Sequence, residues 1–381
     1  MSVQGAPLTI DRPGLDELLG ALRRRGYTVI GPQVRSGSIV YDELRGTDEL
    51  PAGWVDEQEG GTFRLRDRGD GALFAHAVGH DSLKRFLFPP VLTVWRARRD
   101  PGGGLAVEAP GPPPRYAFVG VRSCDLHAVA IQDRVFLGDR FVDEDYEARR
   151  RDALFIAVNC SRAGGTCFCA SMGTGPRVSG GHDLALTEIV DDGGHRFLVE
   201  VGSQRGAELL ADVPARPADG GEQAAAEAAV ERTRASMGRT LDTTDIRELL
   251  QANADHPRWD EVADRCLSCG NCTMVCPTCF CSSAEDTTDL AGDEAVHTRV
   301  WDSCFTLEHS YVHGGSVRRS GRSRYRQWMT HKLSTWIDQF GTSGCVGCGR
   351  CITWCPVAID ITEETAAIRA TDGRRAADAD G

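Results

Sequence analysis

The two stretches that decide the fold of this chain are CLSCGNCTMVCP at residues 266–277 and CVGCGRCITWCP at residues 345–356. In each stretch four cysteines are separated by two, two and three residues, and a proline follows the last one. Bacterial ferredoxins hold iron–sulfur clusters with this C-x2-C-x2-C-x3-C-P pattern. Three thiolates at this spacing line one wall of a tight loop, and the fourth reaches across to another cluster. The sequence therefore predicts two [4Fe–4S] clusters.

The fourth cysteine of each motif is expected to serve the cluster of the other motif. On this assignment, the ligands of the first cluster are Cys266, Cys269, Cys272 and Cys355. The ligands of the second cluster are Cys345, Cys348, Cys351 and Cys276. A pair of zinc sites is the alternative, but such sites usually combine two C-x2-C units. A third cysteine at the same step, with proline after the fourth, favours the cubane.

A second group of cysteines lies upstream of these motifs. Its members are Cys124, Cys160, Cys167 and Cys169. Cys124 follows the apolar run at residues 116–121, and a similar run at residues 153–158 precedes Cys160. If both runs are parallel strands, these two thiols lie at the carboxyl edge of one sheet, where α/β folds bind ligands. We expect a third [4Fe–4S] cluster here; the alternatives are a zinc site and a redox-active pair made by the last two cysteines.

Three cysteines remain, namely Cys279, Cys281 and Cys304. The first two come directly after the first motif, so they are expected to pack beside a cluster. A further metal site would need a fourth ligand, for which His309 and His313 are the nearest candidates. All 15 cysteines fall in a few tight groups, and none lies in the first 123 residues. Such clustering is typical of metal or redox sites and not of scattered core residues.

The first half of the chain alternates helical and strand patterns. Residues 9–31 predict a helix and then a strand, and residues 116–158 predict a strand–helix–strand unit with a parallel pair. A glycine- and proline-rich stretch at residues 100–114 predicts a loop. We therefore expect residues 1–215 to form an α/β domain.

The second half predicts helices and almost no strand. Residues 216–240 predict a helical linker, and residues 241–365 predict an α-helical dicluster ferredoxin domain. The 68 residues between Cys276 and Cys345 are too many for a compact βαββαβ ferredoxin. Residues 366–381 predict a disordered tail. The fold class is thus α+β multidomain, with an α/β domain followed by a helical dicluster domain. The individual helices are expected near residues 223–237, 243–252 and 322–340.

The composition excludes several classes of partner. The formal net charge of −12 argues against nucleic acid and anionic membrane surfaces, since both attract clustered Lys and Arg. The apolar runs are too short to cross a bilayer, and the N-terminus has no basic stretch followed by an apolar one. We therefore expect a cytoplasmic location, in which disulfides are disfavoured.

Five blocks of sequence go beyond a generic ferredoxin. They are GVRSCDLHA at 120–128, NCSRAGGTCFCASMGTGP at 159–176, CPTCFC at 276–281, WDSC at 301–304 and GCVGCGRC at 344–351. Together they resemble the β (iron–sulfur) subunit of cytosolic group 3 nickel–iron hydrogenases, the sulfhydrogenases. One of the subunits of anaerobic sulfite reductase belongs to the same wider family.

The resemblance implies an electron-transfer role inside a multisubunit oxidoreductase. Such a β subunit relays electrons between the hydrogenase small subunit, which pairs with the nickel–iron large subunit, and a flavin subunit that uses NAD(P). No catalytic residue is expected in this chain, which has no G-x-G-x-x-G after a strand and no evident Ser/His/Asp constellation. The alternative is the equivalent subunit of an anaerobic sulfite reductase or another cytosolic redox complex. A regulatory metal sensor is a third hypothesis, but the sequence offers no basic stripe for it.

Overall fold

The computed structural model describes residues 5–100, 102–138 and 140–372. In this part of the chain the strands are β1 (Leu8–Asp11), β2 (Thr28–Arg35), β3 (Ser38–Glu43), β4 (Trp54–Glu59), β5 (Thr62–Asp67), β6 (Val91–Arg99), β7 (Leu105–Glu108), β8 (Tyr116–Val121), β9 (Leu154–Val158), β10 (Leu184–Asp191), β11 (Gly194–Val201), β12 (Arg216–Pro217), β13 (Ser282–Thr288), β14 (Glu294–Trp301), β15 (Tyr311–Val312) and β16 (Gly315–Ser316). The α-helices are α1 (Arg12–Arg24), α2 (Lys84–Leu87), α3 (Ser123–Phe136), α4 (Glu144–Arg151), α5 (Gln204–Leu210), α6 (Gly220–Ala235), α7 (Ile246–Ala252), α8 (Arg258–Arg265), α9 (Asn271–Met274), α10 (Gly321–Thr330), α11 (Trp336–Phe340), α12 (Arg350–Thr353) and α13 (Ile361–Ala370). The chain therefore has the expected mixed helix and strand content.

An eight-stranded mixed sheet forms the centre of the N-terminal part. Its strand order is β12-β1-β11-β10-β9-β8-β2-β3. The inner strands β10, β9, β8 and β2 are parallel neighbours, and the strands outside them pair antiparallel. Phe118 pairs with Phe155, which confirms the predicted parallel pair β8–β9. Both strands are apolar along most of their length because both faces of a parallel sheet are covered. The residues that follow β8 and β9 consequently emerge at the same edge of the sheet.

Helix α1 packs its leucines against this sheet. Asp11 caps the helix by accepting a hydrogen bond from the Gly14 N–H at 2.8 Å, and Pro13 occupies the first turn. The leucines that recur at helical spacing are all fully buried, namely Leu15, Leu18, Leu19 and Leu22. Each such burial contributes about 1.5–3 kcal/mol relative to an exposed side chain. The predicted helix-then-strand order of residues 9–31 is confirmed by α1 and β2.

The predicted linker at residues 216–240 is wrong, because this segment belongs to the central sheet and its cover. β12 pairs with β1, and α6 packs Ala226 against Ile189 and Leu198 of the sheet. A capping box between Asp219 and Glu222 fixes the start of α6. The predicted helix at 223–237 is confirmed by α6. Its alanine-rich sequence, however, does not indicate which face of the helix packs against the sheet.

The expectation of almost no strand in residues 241–365 is also wrong. β13 and β14 form a hairpin within this range, and β14 pairs with β6 in a four-stranded sheet of order β13-β14-β6-β7. β7 lies within residues 100–114, so that stretch is only partly a loop. The hairpin could not be predicted from the local sequence because β13 is polar and mostly exposed. Its second strand, β14, pairs with β6, which lies about 200 residues earlier in the chain.

Helices dominate the remainder of the C-terminal part. The helix predicted at 243–252 is shorter, since α7 begins only after Asp245, which has a left-handed backbone with φ of 47°. The pattern at 322–340 is confirmed as α10, a π-helical turn at His331–Thr335, and α11. The disordered tail predicted from residue 366 is wrong over 366–370, which belong to α13. Residues 373–381 lie outside the described residues.

The two parts of the molecule share buried contacts. The Thr166 and Thr353 hydroxyls are hydrogen-bonded at 2.7 Å, and each lies 3.0 Å from the side-chain oxygen of Gln58. The Phe168 N–H donates to the Gly347 carbonyl at 2.8 Å. The loop around the upstream cysteines is therefore tied directly to the second ferredoxin motif. Within the described residues, no helix has both the length and the apolar character needed to cross a membrane.

Candidate iron–sulfur centres

The four cysteines assigned to the first cluster line one cavity. Cys266 ends α8, Cys272 lies in α9, and Cys355 follows α12. Together with Cys269 they surround about 420 Å³ of empty space, walled on its inner side by Phe305, Tyr325 and Trp328. Aromatic walls exclude water and keep the local dielectric low, which is a main control on cluster potential. Cys269 is exposed, so this cavity reaches the protein surface.

The backbone of both motifs directs N–H groups at sulfur. Ser268 donates to Cys266 Sγ at 3.4 Å, and Ile359 donates to Cys355 Sγ at 3.3 Å. The second motif repeats the arrangement, since Gly347 donates to Cys345 Sγ at 3.4 Å. Gly270 and Gly349 precede α9 and α12 with φ near +75°, a conformation that glycine adopts without strain.

The four cysteines assigned to the second cluster line another cavity of about 330 Å³. They are Cys276, Cys345, Cys348 and Cys351. Cys351 also lies in the wall of the first cavity, so the two cavities are neighbours. The four cysteines assigned to each cluster thus line one cavity, and the first cavity is also lined by Cys351.

The upstream cysteines surround a third cavity of about 330 Å³. It is lined by Cys124, Cys160, Cys167 and Cys169, together with Cys348 of the second motif. Cys124 lies in the first turn of α3 and Cys160 follows β9, at the sheet edge where the parallel pair places them. Because Cys348 lines both cavities, the second and third cavities are adjacent. The three cavities therefore follow one another through shared cysteines.

Burial makes these thiols costly to ionise without a positive partner. It raises the pKa of Cys124, Cys272 and Cys351 well above the usual thiol range. Metal binding removes these protons and supplies the compensating charge. The donor sets therefore fit iron–sulfur clusters, whose ligands are thiolates.

In the part of the chain that the structure describes, no group of three or more His, Cys, Asp or Glu side chains is arranged to hold a single metal ion.

A buried lysine beside the second cavity was missed in the sequence. Lys332 Nζ donates to Cys276 Sγ and to Thr278 Oγ1, each at 3.0 Å, and the side chain is 4% exposed. It lies on the π-helical turn, a distortion that is frequent at functional sites. Hydrogen bonds from Cys279 and Lys332 hold the pKa of Cys276 well below its usual range. The signal available in the sequence was a lysine within an apolar helical pattern.

Two buried arginines were missed as well. Arg350, next to Cys351, forms an ion pair with Asp125, next to Cys124, with Nη1 and Oδ1 2.9 Å apart. Arg122 lines the third cavity and donates to two backbone carbonyl groups. Both guanidinium groups bring positive charge to a thiolate-rich region.

The remaining cysteines, Cys279, Cys281 and Cys304, lie outside the walls of the three cavities. All three are partly buried. His309, a candidate fourth ligand, instead places Nδ1 2.9 Å from the Asp302 carboxylate. His313 is exposed. The structure thus does not assemble the further metal site that these residues would need.

Comparison with known proteins decides the family. A 4Fe-4S dicluster domain matches residues 265–359, which include every cysteine of both motifs. Over 250 residues the chain is 34% identical to sulfhydrogenase 2 subunit beta of Pyrococcus furiosus, a match that covers 65% of this chain and 72% of the relative. The chain belongs to the sulfhydrogenase β subunit family. The resemblance drawn from the sequence blocks is thereby confirmed, and the chain is an iron–sulfur electron-transfer subunit of this family. No solved structure matches this sulfhydrogenase β chain.

Proposed function

We propose that the chain binds three [4Fe–4S] clusters and relays electrons along them within a sulfhydrogenase. The observation that carries this proposal is the row of three thiol-lined cavities, in which Cys351 joins the first to the second and Cys348 joins the second to the third. A carrier that passes single electrons needs closely spaced centres in a dry interior. The cysteines that neighbouring cavities share provide the close spacing, and the apolar side chains in the cavity walls provide the dry surroundings.

The proposed ligand sets correspond to the cavities. The first set is Cys266, Cys269, Cys272 and Cys355; the second is Cys276, Cys345, Cys348 and Cys351; the third is Cys124, Cys160, Cys167 and Cys169. We propose no catalytic residue, because the bound clusters supply the reversible one-electron chemistry.

The protein's own groups set the conditions for that chemistry. Backbone N–H groups of Ser268 and Gly347 donate to cysteine sulfur and stabilise added negative charge. Lys332 does the same for Cys276 with a full positive charge. The rings of Phe305 and Tyr325 exclude water from the first cavity. The donated hydrogen bonds and the positive charge favour the reduced state and so raise the potential of a bound cluster.

We further propose that the chain works in the cytoplasm between a hydrogenase small subunit and a flavin subunit that uses NAD(P). Membership of the sulfhydrogenase β family supports this arrangement. The exposed Cys269 and Leu267, which is 64% exposed, bring the first cavity to the surface, where a partner's cofactor can approach.

The test of this route uses the Cys348→Ala variant in the assembled complex. Since Cys348 lines two cavities, its loss is expected to abolish hydrogen-dependent NAD(P) reduction. Reduction of an artificial dye, which takes electrons before this subunit, is expected to persist near the wild-type rate. Cys304→Ala, which removes a thiol that lines none of the three cavities, is the control.

Equal loss of both activities with an intact complex would contradict the proposed route. Anaerobic affinity purification with mass spectrometry identifies the partners independently. A nickel–iron large subunit and a flavin subunit are expected, whereas a sirohaem subunit would instead identify a sulfite reductase.

A further inference from the structure

Arg122 is a buried cation in the wall of the third cavity. It follows β8 directly and precedes α3, so it lies at the carboxyl edge of the central sheet, two residues before Cys124. Arg122 is 2% exposed and lines the cavity with all four cysteines of the third set. A full positive charge is therefore enclosed next to the proposed cluster ligands.

One half of the Arg122 guanidinium group is anchored to the backbone. Its Nη2 donates to the Phe74 carbonyl at 2.8 Å and to the His76 carbonyl at 2.7 Å, and both acceptor residues are buried. A guanidinium group is planar, and the directions of its N–H groups are fixed relative to one another. Anchoring Nη2 therefore also fixes the direction of the Nη1 donors.

The other half of the group has no partner within the protein. In the residues that the structure describes, Arg122 Nη1 is buried without a hydrogen-bond acceptor, and no carboxylate forms an ion pair with this side chain. Arg350, which is also almost fully buried, is by contrast paired with Asp125 at 2.9 Å. Buried donors without acceptors are rare, and a buried charge without a countercharge is costly. Arg122 thus needs an acceptor and a negative charge from the group that the cavity binds.

We propose that Arg122 donates a hydrogen bond from Nη1 to the [4Fe–4S] cluster of the third cavity and raises its reduction potential. This inference rests on the proposed function, since it requires a cluster on the third set of cysteines. A cluster held by four thiolates has a net negative charge that increases on reduction, so it supplies both the acceptor and the countercharge. The donated hydrogen bond and the positive charge stabilise the reduced state more than the oxidised state.

A second arginine of the same cavity provides a matched control. Arg162 also lines the third cavity, but its Nη1 donates to the Asp56 carbonyl at 2.5 Å and lies 4.0 Å from Asp56 Oδ1. Its side chain is 36% exposed, so solvent screens its charge as well. Arg162 therefore differs from Arg122 in having its charge already compensated.

The first experiment is a redox titration of the anaerobic, cluster-loaded full chain, followed by electron paramagnetic resonance. The signal that is missing from Cys124→Ser identifies the third cluster. Arg122→Met is expected to disfavour reduction of this cluster at least about tenfold, which lowers its potential by about 59 mV. Arg122→Lys keeps the charge and is expected to shift the potential less, as is the control Arg162→Met.

The second experiment uses the wild-type sequence and depends on no loss of side chains. The chain is produced with arginine that carries a heavy nitrogen isotope in the guanidinium group, and electron–nuclear double resonance is recorded on the reduced third cluster. A coupling to guanidinium nitrogen is expected. It should disappear in Arg122→Lys and persist in Arg162→Lys.

Two results would overturn the role of Arg122. One is an unchanged potential of the third cluster in Arg122→Met that retains its full iron content, and the other is a labelled wild-type chain without any guanidinium coupling. A wild-type chain with only about eight irons would refute the third cluster itself, and the role of Arg122 with it. The iron content of the wild-type chain therefore distinguishes failure of this inference from failure of the proposed function.

Discussion

Lys332 places a positive charge against Cys276, a proposed ligand of the second cluster. Its ammonium group lies 3.0 Å from Cys276 Sγ in a buried position. A hydrogen bond to a charged group contributes about 1.5–3 kcal/mol. For a one-electron couple, about 59 mV corresponds to a tenfold change in the equilibrium constant. This side chain is therefore a strong determinant of the potential at that centre.

We predict that Lys332→Met lowers the reduction potential of the second cluster by about 60 mV or more. The charge and the hydrogen bond both stabilise the reduced, more negative state, so their removal favours oxidation. A redox titration followed by electron paramagnetic resonance measures the shift. Thr278→Val removes a neutral hydroxyl that contacts Cys276 Sγ, accepts from Lys332 and donates to the Gly344 carbonyl, but it removes no charge, so it is expected to shift the potential less. An unchanged potential in Lys332→Met would show that the lysine is structural only.

Arg350 and Asp125 join the second motif to the start of α3. Both side chains are almost fully buried, and Arg350 also donates to the carbonyl groups of Gly79 and Asp81. We predict that Arg350→Met destabilises the protein by about 3–5 kcal/mol, because Asp125 is left charged and unpaired in the interior. Anaerobic guanidinium unfolding of the cluster-loaded protein measures the loss. The double variant with Asp125→Leu is expected to recover part of it, and a double variant as unstable as the single one would refute this explanation.

At the scale of elements, one buried carboxylate links α6 to the central sheet in addition to the apolar packing of Ala226. Glu222 accepts hydrogen bonds from Thr9, Arg196 and Arg216, and its side chain is nearly buried. The hydrogen bond from Arg216 is the main reason that the pKa of Glu222 falls to about 2. Since this folded-state pKa lies below the ordinary value of 4.5, the stabilisation is complete above about pH 4.5 and is lost as the pH falls toward 2.

We predict that Glu222→Gln lowers the free energy of unfolding at pH 7 by about 1–3 kcal/mol, since pH 7 lies where the carboxylate contributes fully. Glu227 lies on the same helix and forms an exposed ion pair with Arg177. Glu227→Gln is therefore the matched control, with an expected change below about 1 kcal/mol. Equal effects of the two substitutions in denaturant unfolding would contradict the buried role of Glu222.

Local spacing made much of this fold predictable. The apolar runs of β8 and β9 are continuous because the sheet is covered on both faces, so their sequence alone indicated a buried parallel pair. Each cysteine motif likewise spans only twelve residues, so the spacing of its cysteines is set by the local sequence. Features that depend on short-range spacing were accessible without coordinates, whereas the sequence did not predict that Cys351 lines the first cavity and Cys348 the third.

Long-range pairing was not predictable in the same way. The polar sequence of β13 does not predict a strand. β13 is a strand because it pairs with β14, which in turn pairs with the distant β6. Lys332 lies within an apolar helical pattern, but only the folded chain places it against Cys276, and only the folded chain places Arg350 against Asp125. The contacts of these two cations are thus tertiary, whereas each cysteine motif is local in the sequence.

At the scale of the whole molecule, residues from both halves of the chain line the second and third cavities. Cys348 of the second motif packs with Cys124 and Cys169 of the first half in a shared apolar cluster. The third cavity is consequently incomplete without the C-terminal part. The predicted division into an α/β domain and a dicluster domain describes the sequence order, but residues of both parts line the third cavity, and Phe168 of the first part lines the second.

The most direct test of three centres is the iron and acid-labile sulfide content of the anaerobically purified chain. Three [4Fe–4S] clusters predict about twelve iron and twelve sulfide per chain, with loss of about four of each in Cys124→Ser. About eight of each in the wild-type chain, unchanged in Cys124→Ser, would contradict the third centre and the continuous row that depends on it.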